Sequence, residues 1–306
     1  MGTLSPNLHD YAKIIYPDSV AEQYSPLWSY RAKFVLRAMY YRNAFQYITS
    51  NIDPFLLEAL CKQCPRFLEK SFRPYIINDS SAIERAQFVV QHYQFVSEKL
   101  PSYISNEIYI NNNNNGLTLF DFTVGEIEYA FKLVFHARYQ KEGDMSLILF
   151  NDIDKNFYTL TFSIRDIEGQ RQLVIGGLQG PASSPENNLK IKALTKALHG
   201  QRPKDLMIKI ITLIANIWQV DTLLAVKSDS HAYSARRYSK RRVTANYDKH
   251  WEALGGTEFD RHFYTLGLED IRRNPEDISR PKRAMYRRRY EWLDTVNATL
   301  QQKISL

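Results

Sequence analysis

The sequence predicts an α+β fold: a helical N-terminal region over residues 1–110 precedes a mixed and largely antiparallel sheet, flanked by helices, over residues 111–306. Three observations support this prediction. Helical spacing of apolar residues dominates up to residue 100, segments rich in aromatic and β-branched residues follow over 117–177, and helix and strand patterns then alternate. The uninterrupted run from Asn111 to Asn115 predicts a loop at the boundary between the first two patterns.

The first long helix is predicted to begin at Ser25-Pro26, where a capping hydroxyl precedes a proline in the first helical turn. Apolar residues then recur at spacings of four, three and four, which predicts one buried helical face. These residues are Phe34, Ala38, Tyr41 and Phe45. Asp53-Pro54 repeats the start signal, so a further helix is expected there.

A capping box at Ser81-Ala-Ile-Glu84 predicts the start of another helix, which Pro101 ends. Its predicted buried stripe is Ile83, Ala86, Val90, Tyr93 and Val96. The two cysteines, Cys61 and Cys64, fall inside or at the end of a helical segment, and no second pair could complete a zinc site. We therefore expect them to be packing residues, and no ligand spacing predicts a metal.

Five segments separated by turn clusters predict adjacent strands, which suggests an antiparallel sheet. They are residues 117–123, 128–139, 146–151, 157–164 and 171–177. Helices are then predicted from Pro185 to Gly200 and from Pro203, followed by a short apolar strand over 222–226. A helix over 247–254, a last strand around 262–266 and a basic final helix over 282–301 complete the chain.

The order of these elements resembles the acyltransferase fold called GNAT. In that fold, too, an antiparallel meander leads through a helix to a strand, a short aromatic-bearing helix and a last strand. The string Tyr247-Asp-Lys-His-Trp-Glu-Ala-Leu-Gly-Gly256 is similar to the late helix of that fold. The resemblance implies a GNAT-like domain over residues 111–306 with a basic C-terminal helix.

Several strings resemble a more specific family, the VirK/YbjX proteins of Gram-negative bacteria. They are Arg85-Ala-Gln-Phe-Val-Val-Gln-His-Tyr93, Ile175-Gly-Gly-Leu-Gln-Gly-Pro181, Leu194-Thr-Lys-Ala-Leu-His-Gly-Gln-Arg-Pro-Lys204, Tyr247-Asp-Lys-His-Trp251 and Pro281-Lys-Arg-Ala-Met-Tyr-Arg-Arg-Arg-Tyr-Glu-Trp292. Members of this family are associated with virulence, envelope stress and resistance to antimicrobial peptides. The resemblance implies a role of that kind and brings no settled reaction with it.

The formal charge of +7 is compatible with nucleic acid, an anionic membrane surface or an acidic protein as partner. No stretch approaches the ~18 consecutive apolar residues that a membrane span needs. The N-terminus has no basic segment followed by an apolar core, so no secretory signal is predicted. We expect a cytoplasmic protein, with peripheral membrane contact left open.

The loop from Leu198 to Lys204 is the first candidate binding site. Amides that follow Gly200 would lie at a helix N-terminus, where the dipole favours an anion, and Arg202 and Lys204 add two cations. In the GNAT fold the pyrophosphate of the donor lies at the corresponding helix start, although this sequence lacks the usual arginine/glutamine-x-x-glycine-x-glycine spacing. The alternative is a capped helix in which Arg202 pairs with a nearby acid.

Gln179 and Gly180 form the second candidate wall, because glycines at a strand end permit close approach of a ligand and a glutamine can donate to a carbonyl. A bulge that bends the strand is the alternative, and both can hold. His231 is the preferred candidate base because it follows a strand end, and His199 is the second because it adjoins the anion loop. For each histidine, a hydrogen-bonded structural role stays open.

Arginines and lysines interleaved with aromatic residues form the strongest charge feature. They are Arg236-Arg237, Lys240-Arg241-Arg242 and Arg287-Arg288-Arg289, with Tyr233, Tyr238, Tyr286, Tyr290 and Trp292. Such a surface can stack bases, contact a membrane or receive an acidic carrier protein, and it can equally be a solvated helix face.

Two functions follow from these observations. The first is an acyltransferase that uses an acyl-coenzyme A or an acyl-carrier-protein thioester, with no metal. The second is a non-catalytic regulator that binds RNA or a protein through the basic and aromatic residues. Catalysis requires the candidate groups to converge, whereas binding requires only the arginines.

Overall fold

The computed structural model describes residues 7–111, 116–238 and 247–306. Within these residues, helices come first, a meander of strands follows, and helices and strands then alternate, as the predicted α+β class requires. Most of the asparagine run, residues 112–115, and the Lys240-Arg241-Arg242 string lie outside the described residues.

The described N-terminal region begins with four helices. They are α1 (Leu8–Ile15), α2 (Leu27–Tyr40), α3 (Arg42–Asn51) and α4 (Pro54–Gln63). Of these, α1 and α4 start at a side-chain cap, while α2 starts after Ser25-Pro26 without the predicted hydroxyl cap. Asp53 caps α4 by accepting a hydrogen bond from the amide of Leu56 at 3.0 Å. This agrees with the predicted start at Asp53-Pro54.

The single helical face predicted from Phe34 to Phe45 is wrong, because the chain breaks at Tyr41 between α2 and α3. In one straight helix Phe34 and Phe45 would be about 16 Å apart along the axis. The break instead brings their rings to a centroid distance of 5.9 Å in an edge-to-face contact. Packing of the two buried rings outweighs continuation of the helix.

A 3₁₀ segment (Pro65–Phe72) leads towards α5 (Ala82–Glu98), the longest helix of this region. The predicted capping box of α5 is confirmed: Ser81 and Glu84 each accept from the backbone amide of the other. The predicted stripe is buried except for Ile83, which is exposed. The short α6 (Ser102–Ser105) continues into a π-helical turn that the sequence pattern did not predict.

Eight strands in the described residues form one sheet, in the order β1-β2-β3-β4-β5-β6-β8-β7. They are β1 (Leu117–Val124), β2 (Ile127–Val134), β3 (Met145–Asn151), β4 (Lys155–Ile167), β5 (Gln170–Gln179), β6 (Thr222–Val226), β7 (Thr257–Glu258) and β8 (Phe263–Leu266). Neighbouring strands run antiparallel except β5 and β6, which are parallel. The largely antiparallel sheet is confirmed.

Four helices accompany the second half of the sheet: α7 (Pro185–Ala197), α8 (Pro203–Ile217), α9 (Tyr247–Ala253) and α10 (Arg283–Ile304). α8 connects the parallel pair and buries an apolar face. The indole of Trp218, just after α8, donates to the carbonyl of Ile304 at the end of α10, at 2.9 Å. Among the helices of the described residues, none has the length and apolar character needed to cross a membrane.

The parallel pair β5–β6 is short, and β5 extends beyond it. Gln172 to Ile175 pair with Thr222 to Ala225, while β5 continues for four more residues to Gln179. Gly176 is the extra residue at this point, because Phe162 pairs with Ile175 and Thr161 with Gly177. The bulge predicted for this glycine segment is therefore present, and it lies where the pairing of β5 with β6 ends.

Residues 75–78 bind the helical region to the sheet. The amide of Ile76 donates to the carbonyl of Lys141 at 2.7 Å, and the carbonyl of Ile76 accepts from the amide of Ala232 at 2.9 Å. Ile77 forms an antiparallel bridge with His231. One continuous hydrophobic core consequently runs from the helices into the sheet.

Candidate functional site

A buried acid and a buried histidine face each other beside the end of β5 that extends beyond β6. Glu142 lies in the turn before β3 and is 1% exposed, and His231 lies after β6 and is fully buried. The distance between Oε1 of Glu142 and Nε2 of His231 is 3.4 Å. Ile77 forms a bridge with the backbone of His231, and the amide of Ile76 donates to the carbonyl of Lys141, next to Glu142. Residues 76 and 77 therefore hold the segments of both members of the pair.

The hydrogen bonds of His231 define its tautomer when the ring is neutral. Its Nδ1 accepts from the amide of Tyr233 at 3.2 Å, so the ring proton is on Nε2, which faces Glu142. Nε2 lies 3.4 Å from Oε1 of Glu142 and makes no hydrogen bond among the described residues. His231 therefore lies beside the acid, and the acid is the group that contacts β5.

Glu142 lies directly over two glycines of β5. A Cβ atom added to Gly176 would be 1.9 Å from the carbonyl oxygen of Glu142, and one added to Gly177 would be 2.4 Å from Oε2. Only glycine allows this approach at both positions. The Gly-Gly string noted in the sequence therefore makes room for a carboxylate of the same chain.

Gln179 and Tyr247 complete the cluster. Gln179 donates through Nε2 to Oε1 of Glu142 at 3.1 Å and lies 3.4 Å from the hydroxyl of Tyr247. That hydroxyl also accepts from the amide of Leu178 at 3.3 Å. Burial, together with the charge of Glu142, raises the pKa of Tyr247 well above its ordinary value. We call Glu142, Gln179, His231 and Tyr247 the strand-end cluster.

One oxygen of the strand-end cluster is left over. Oε2 of Glu142 is buried and has no hydrogen-bond partner in the part of the chain that the structure describes. A buried, unpaired carboxylate oxygen costs free energy unless water or a ligand pairs with it. It is therefore the atom of this cluster that is best placed to accept a proton from a bound molecule.

The N-terminus of α8 lies on the neighbouring side, next to α9. Nδ1 of His250 is 4.0 Å from Oδ1 of Asp205. Burial and the positive charge of Lys204 lower the pKa of His250 to about 4. Burial likewise lowers the pKa of Lys204, against the opposing charge of Asp205.

Asp205 connects α8 with the end of β5. Burial raises its pKa, and the charges of Arg202 and Lys204 act in the opposite direction. Its own charge contributes, after burial, to the raised pKa of Tyr158, whose ring would be 2.6 Å from a Cβ on Gly180.

His199 and Gly200 lie elsewhere, against α10. Both have positive φ angles, 53° and 80°, at the turn that ends α7. Arg289 donates through Nε and NH2 to the carbonyl of His199, at 3.1 and 2.7 Å. Burial and the charges of Arg288 and Arg289 lower the pKa of His199. The loop predicted as one anion site is divided, with this half serving as a helix contact.

Part of the basic and aromatic surface also has packing roles. Arg289 lies over the ring of Tyr286 at 4.4 Å and holds His199, as described above. Trp292 makes edge contacts with Phe120 and Phe122 of β1. Arg287 remains 75% exposed next to Glu291. The exposed arginines of α10 are therefore the part that could receive a partner.

Sequence patterns missed Glu142, although the structure places it at the centre of the strand-end cluster. It stands in a Glu-Gly-Asp turn, which has no motif of its own. The available signal was the glycine pair of β5. It predicted that some group approaches the strand closely, but it did not identify that group as Glu142. Within the described ranges, no cluster of three histidine, cysteine or acidic side chains is placed to hold a metal ion.

Comparison with known proteins identifies relatives along most of the chain. Residues 26–302 match the family described as "Protein of unknown function (DUF535)". The Escherichia coli K12 protein YbjX, described as uncharacterized, is 30% identical over 272 residues, or 88% of this chain and 81% of its own. An uncharacterized Haemophilus influenzae protein is 28% identical over 305 residues, 96% of this chain and 95% of its own.

No solved structure matches the chain, and the GNAT-like character of the fold stays a prediction. The resemblance to YbjX-like proteins, read from short strings, is confirmed over nearly the whole length. The chain belongs to the DUF535 family.

Proposed function

We propose that this protein transfers an acyl group from a thioester donor and that the donor binds along the end of β5 that extends beyond its pairing with β6. The observation that carries the proposal is this extension of β5 next to a buried carboxylate, one oxygen of which has no hydrogen-bond partner among the described residues. The strand order β5-β6-β8-β7 supports a GNAT-like arrangement. So do the positions of the helices along the chain, because α7 and α8 connect β5 to β6 and α9 follows β6.

The donor site has two parts in this proposal. Residues 176–179 of β5 are beyond the pairing with β6, so their backbone can bond the amides of a pantetheine arm. The hydroxyl of Tyr247 now bonds Leu178 and would be displaced by the donor. At the other end, Arg202 and Lys204 at the start of α8 would bind its phosphate groups, assisted by the helix dipole.

The strand-end cluster supplies the chemistry. Oε2 of Glu142 accepts the proton of an acceptor amine or hydroxyl as its nitrogen or oxygen attacks the thioester carbonyl. The new bond to the acyl carbon forms, the carbon–sulfur bond breaks, and the leaving thiolate takes up the proton that Glu142 has accepted. Gln179 holds the carboxylate through its hydrogen bond to Oε1, and His231, whose Nε2 lies 3.4 Å from the same oxygen, acts as a positioning residue. His199, against α10, has no part in the reaction.

An acyl-carrier protein suits the exposed arginines of α10 at least as well as coenzyme A does, because carrier proteins are acidic. A VirK-like role in envelope stress, virulence or antimicrobial-peptide resistance would then reflect acylation of an envelope component. This role comes from the family resemblance alone.

The test is incubation with an acyl-coenzyme A and with an acyl-carrier protein, followed by native mass spectrometry and by a thiol-release assay. We expect a retained donor that is lost in Arg202→Ala and kept in the control Arg42→Ala, whose arginine is exposed on α3. Glu142→Gln should retain the donor but release thiol at least ~100-fold more slowly. If no donor is retained and RNA or a protein co-purifies instead, the non-catalytic regulator replaces this proposal.

A further inference from the structure

A cavity of about 220 Å³ lies where the helical region meets the turn before β3. Arg66 and Arg73 enter it from the helical side, Arg138 and Lys141 from the turn after β2, and Tyr233 from the segment after β6. We call it the basic pocket. It is distinct from the strand-end cluster, and of its lining residues only Tyr233 belongs to a candidate binding feature noted in the sequence.

The charges around the basic pocket do not balance. Glu69 is buried and receives three arginines: Arg66 at 2.7 Å, Arg73 at 2.8 Å and Arg37 at 3.6 Å. One carboxylate therefore compensates one of three positive charges. The remaining acid close by, Asp144, is paired with Lys70 at 2.5 Å.

Lys141 and Arg138 add further positive charge to the same wall. Nζ of Lys141 lies 4.9 Å from the ring centre of Tyr233 and 4.1 Å from that of Tyr238. Arg138 is exposed beside Tyr139, at 5.7 Å from the ring centre. Among the lining residues other than the Lys70 ion pair, four cations face a single carboxylate.

Hydrogen-bond donors at the basic pocket are incompletely used. Nε of Arg73 is buried and lacks a hydrogen-bond partner among the described residues. The side-chain oxygen of Gln140 accepts from the thiol of Cys64 at 3.2 Å, which leaves its amide nitrogen as a donor. Buried donors without partners mark places where a ligand or water completes the structure.

We propose that the basic pocket binds the phosphoryl group of a phosphate monoester. Arginine forks recognise such a group through two parallel hydrogen bonds, and its two negative charges would compensate the excess around Glu69. The cavity is smaller than those that enclose drug-sized ligands, so it takes the phosphoryl end and a small part of what carries it. The ester is carried either by a soluble small molecule or by a lipid headgroup.

The position of the basic pocket gives such a ligand a further effect. Lys141 precedes Glu142 in the chain, and the ring of Tyr233 stacks on His231 at a centroid distance of 5.6 Å. A bound phosphoryl group therefore contacts both segments that hold the Glu142–His231 pair. Binding itself does not depend on the proposed acyl transfer.

Calorimetric titration at two salt concentrations tests the site, with inorganic phosphate and glucose 6-phosphate as soluble probes. Vesicles of phosphatidylcholine with and without phosphatidic acid test the lipid source. The variants are Arg138→Gln and Lys141→Gln, and the matched control is Lys62→Gln, whose lysine is 71% exposed on α4.

We expect one of the two sources to bind, with Kd rising about tenfold in each variant and unchanged in the control. The same probe should raise the midpoint of thermal unfolding more in the parent protein than in the variants. A cooperative unfolding transition of each variant without the probe shows that the variant is folded. Equal Kd values in the parent, both variants and Lys62→Gln would overturn the proposal, as would absence of binding by every probe.

Discussion

Asp144 and Glu142 are two residues apart and both are buried, yet their surroundings differ. Asp144 accepts from Lys70 at 2.5 Å and from Tyr93 at 2.8 Å through Oδ1, and from Tyr75 through Oδ2. Its pKa is lowered: burial alone would raise it, but the charges of Lys70 and His92 and the hydrogen bonds outweigh burial. Glu142 uses one oxygen and leaves the other without a partner in the described part of the chain.

The difference separates a structural carboxylate from one that is available for chemistry. A buried polar network whose members are all paired fixes one arrangement of the core. The Asp144 network does so, since it joins the helical region to β4 through Ser163. A network with an open acceptor is less stable than it could be, and a bound ligand can use that acceptor.

The largest effect is expected when the Asp144 network is broken. Asp144→Ala leaves the ammonium of Lys70 buried without its counter-ion, so the free energy of unfolding should fall by about 3–5 kcal/mol in urea titrations. The control is Asp152→Ala, whose carboxylate is 82% exposed and should change stability by less than ~0.5 kcal/mol. Equal losses in the two variants would contradict a structural role for Asp144.

The next largest effect concerns His92, which is buried beside the same network. Its Nε2 is 2.8 Å from the hydroxyl of Tyr109 and its Nδ1 accepts from the amide of Ile164. Burial lowers its pKa from 6.5 to about 4, against the charge of Asp144. Between these values the unfolded chain binds more protons, so this contribution to stability is present above pH 6.5 and is lost as the pH falls towards 4.

Urea titrations between pH 7.5 and pH 4.5 measure this loss, which should reach roughly 3 kcal/mol for His92. His92→Gln should flatten the pH dependence, while His9→Gln, at an exposed position on α1, should leave it unchanged. Part of the pH dependence of stability should persist in His92→Gln because the pKa of His250 is also lowered to about 4. An unchanged slope in His92→Gln would show that its neutral form is not what the fold requires.

Two glycine variants sharpen the comparison at the strand-end cluster. Gly176→Ala would press against the backbone carbonyl of Glu142, whereas Gly177→Ala would press against its side chain, which can turn away. We expect stability losses of about 3 kcal/mol and about 1–2 kcal/mol respectively, measured by urea unfolding. Gly177→Ala should also slow the proposed thiol release, because the carboxylate is displaced. A larger stability loss for Gly177→Ala would contradict the described packing.

The smallest effect on stability is expected for Glu142→Gln. The side-chain oxygen of the new glutamine can still accept a hydrogen bond from Gln179 or His231. The substitution also removes the negative charge of a carboxylate whose second oxygen has no partner among the described residues. The free energy of unfolding should therefore change by less than about 1 kcal/mol, far less than in Asp144→Ala. A loss of 3 kcal/mol or more would make Glu142 a structural acid like Asp144.

Local signals predicted much of the fold. The capping box at Ser81 and the proline starts at Pro185 and Pro203 gave helix starts that agree with the structure, and the strand over 222–226 agrees at both ends. These features depend on neighbours within a few residues, which the sequence displays. The two-residue β7 lacks such a pattern and was missed.

Contacts between distant residues were beyond such signals. Lys70 and Asp144 are separated by 74 residues. Glu142 and His231 lie next to each other because residues 75–78 form backbone hydrogen bonds with the segments of both. Gln179, Gly180, Arg202 and Lys204 were selected because they adjoin strand and helix ends, and the structure places them at the end of β5 or at the start of α8. Which acid faces them depends on the tertiary fold, and a local pattern cannot specify it.

Residues 75–78 have a consequence for how this chain can be divided. They belong to the helical region by position, but they share backbone hydrogen bonds with the turn before β3 and with the segment after β6. A gene fragment that encodes only the sheet would lack this connection and leave the backbone of Lys141 and Ala232 unpaired. The two regions are therefore expected to be inherited, expressed and exchanged between relatives together, as one unit.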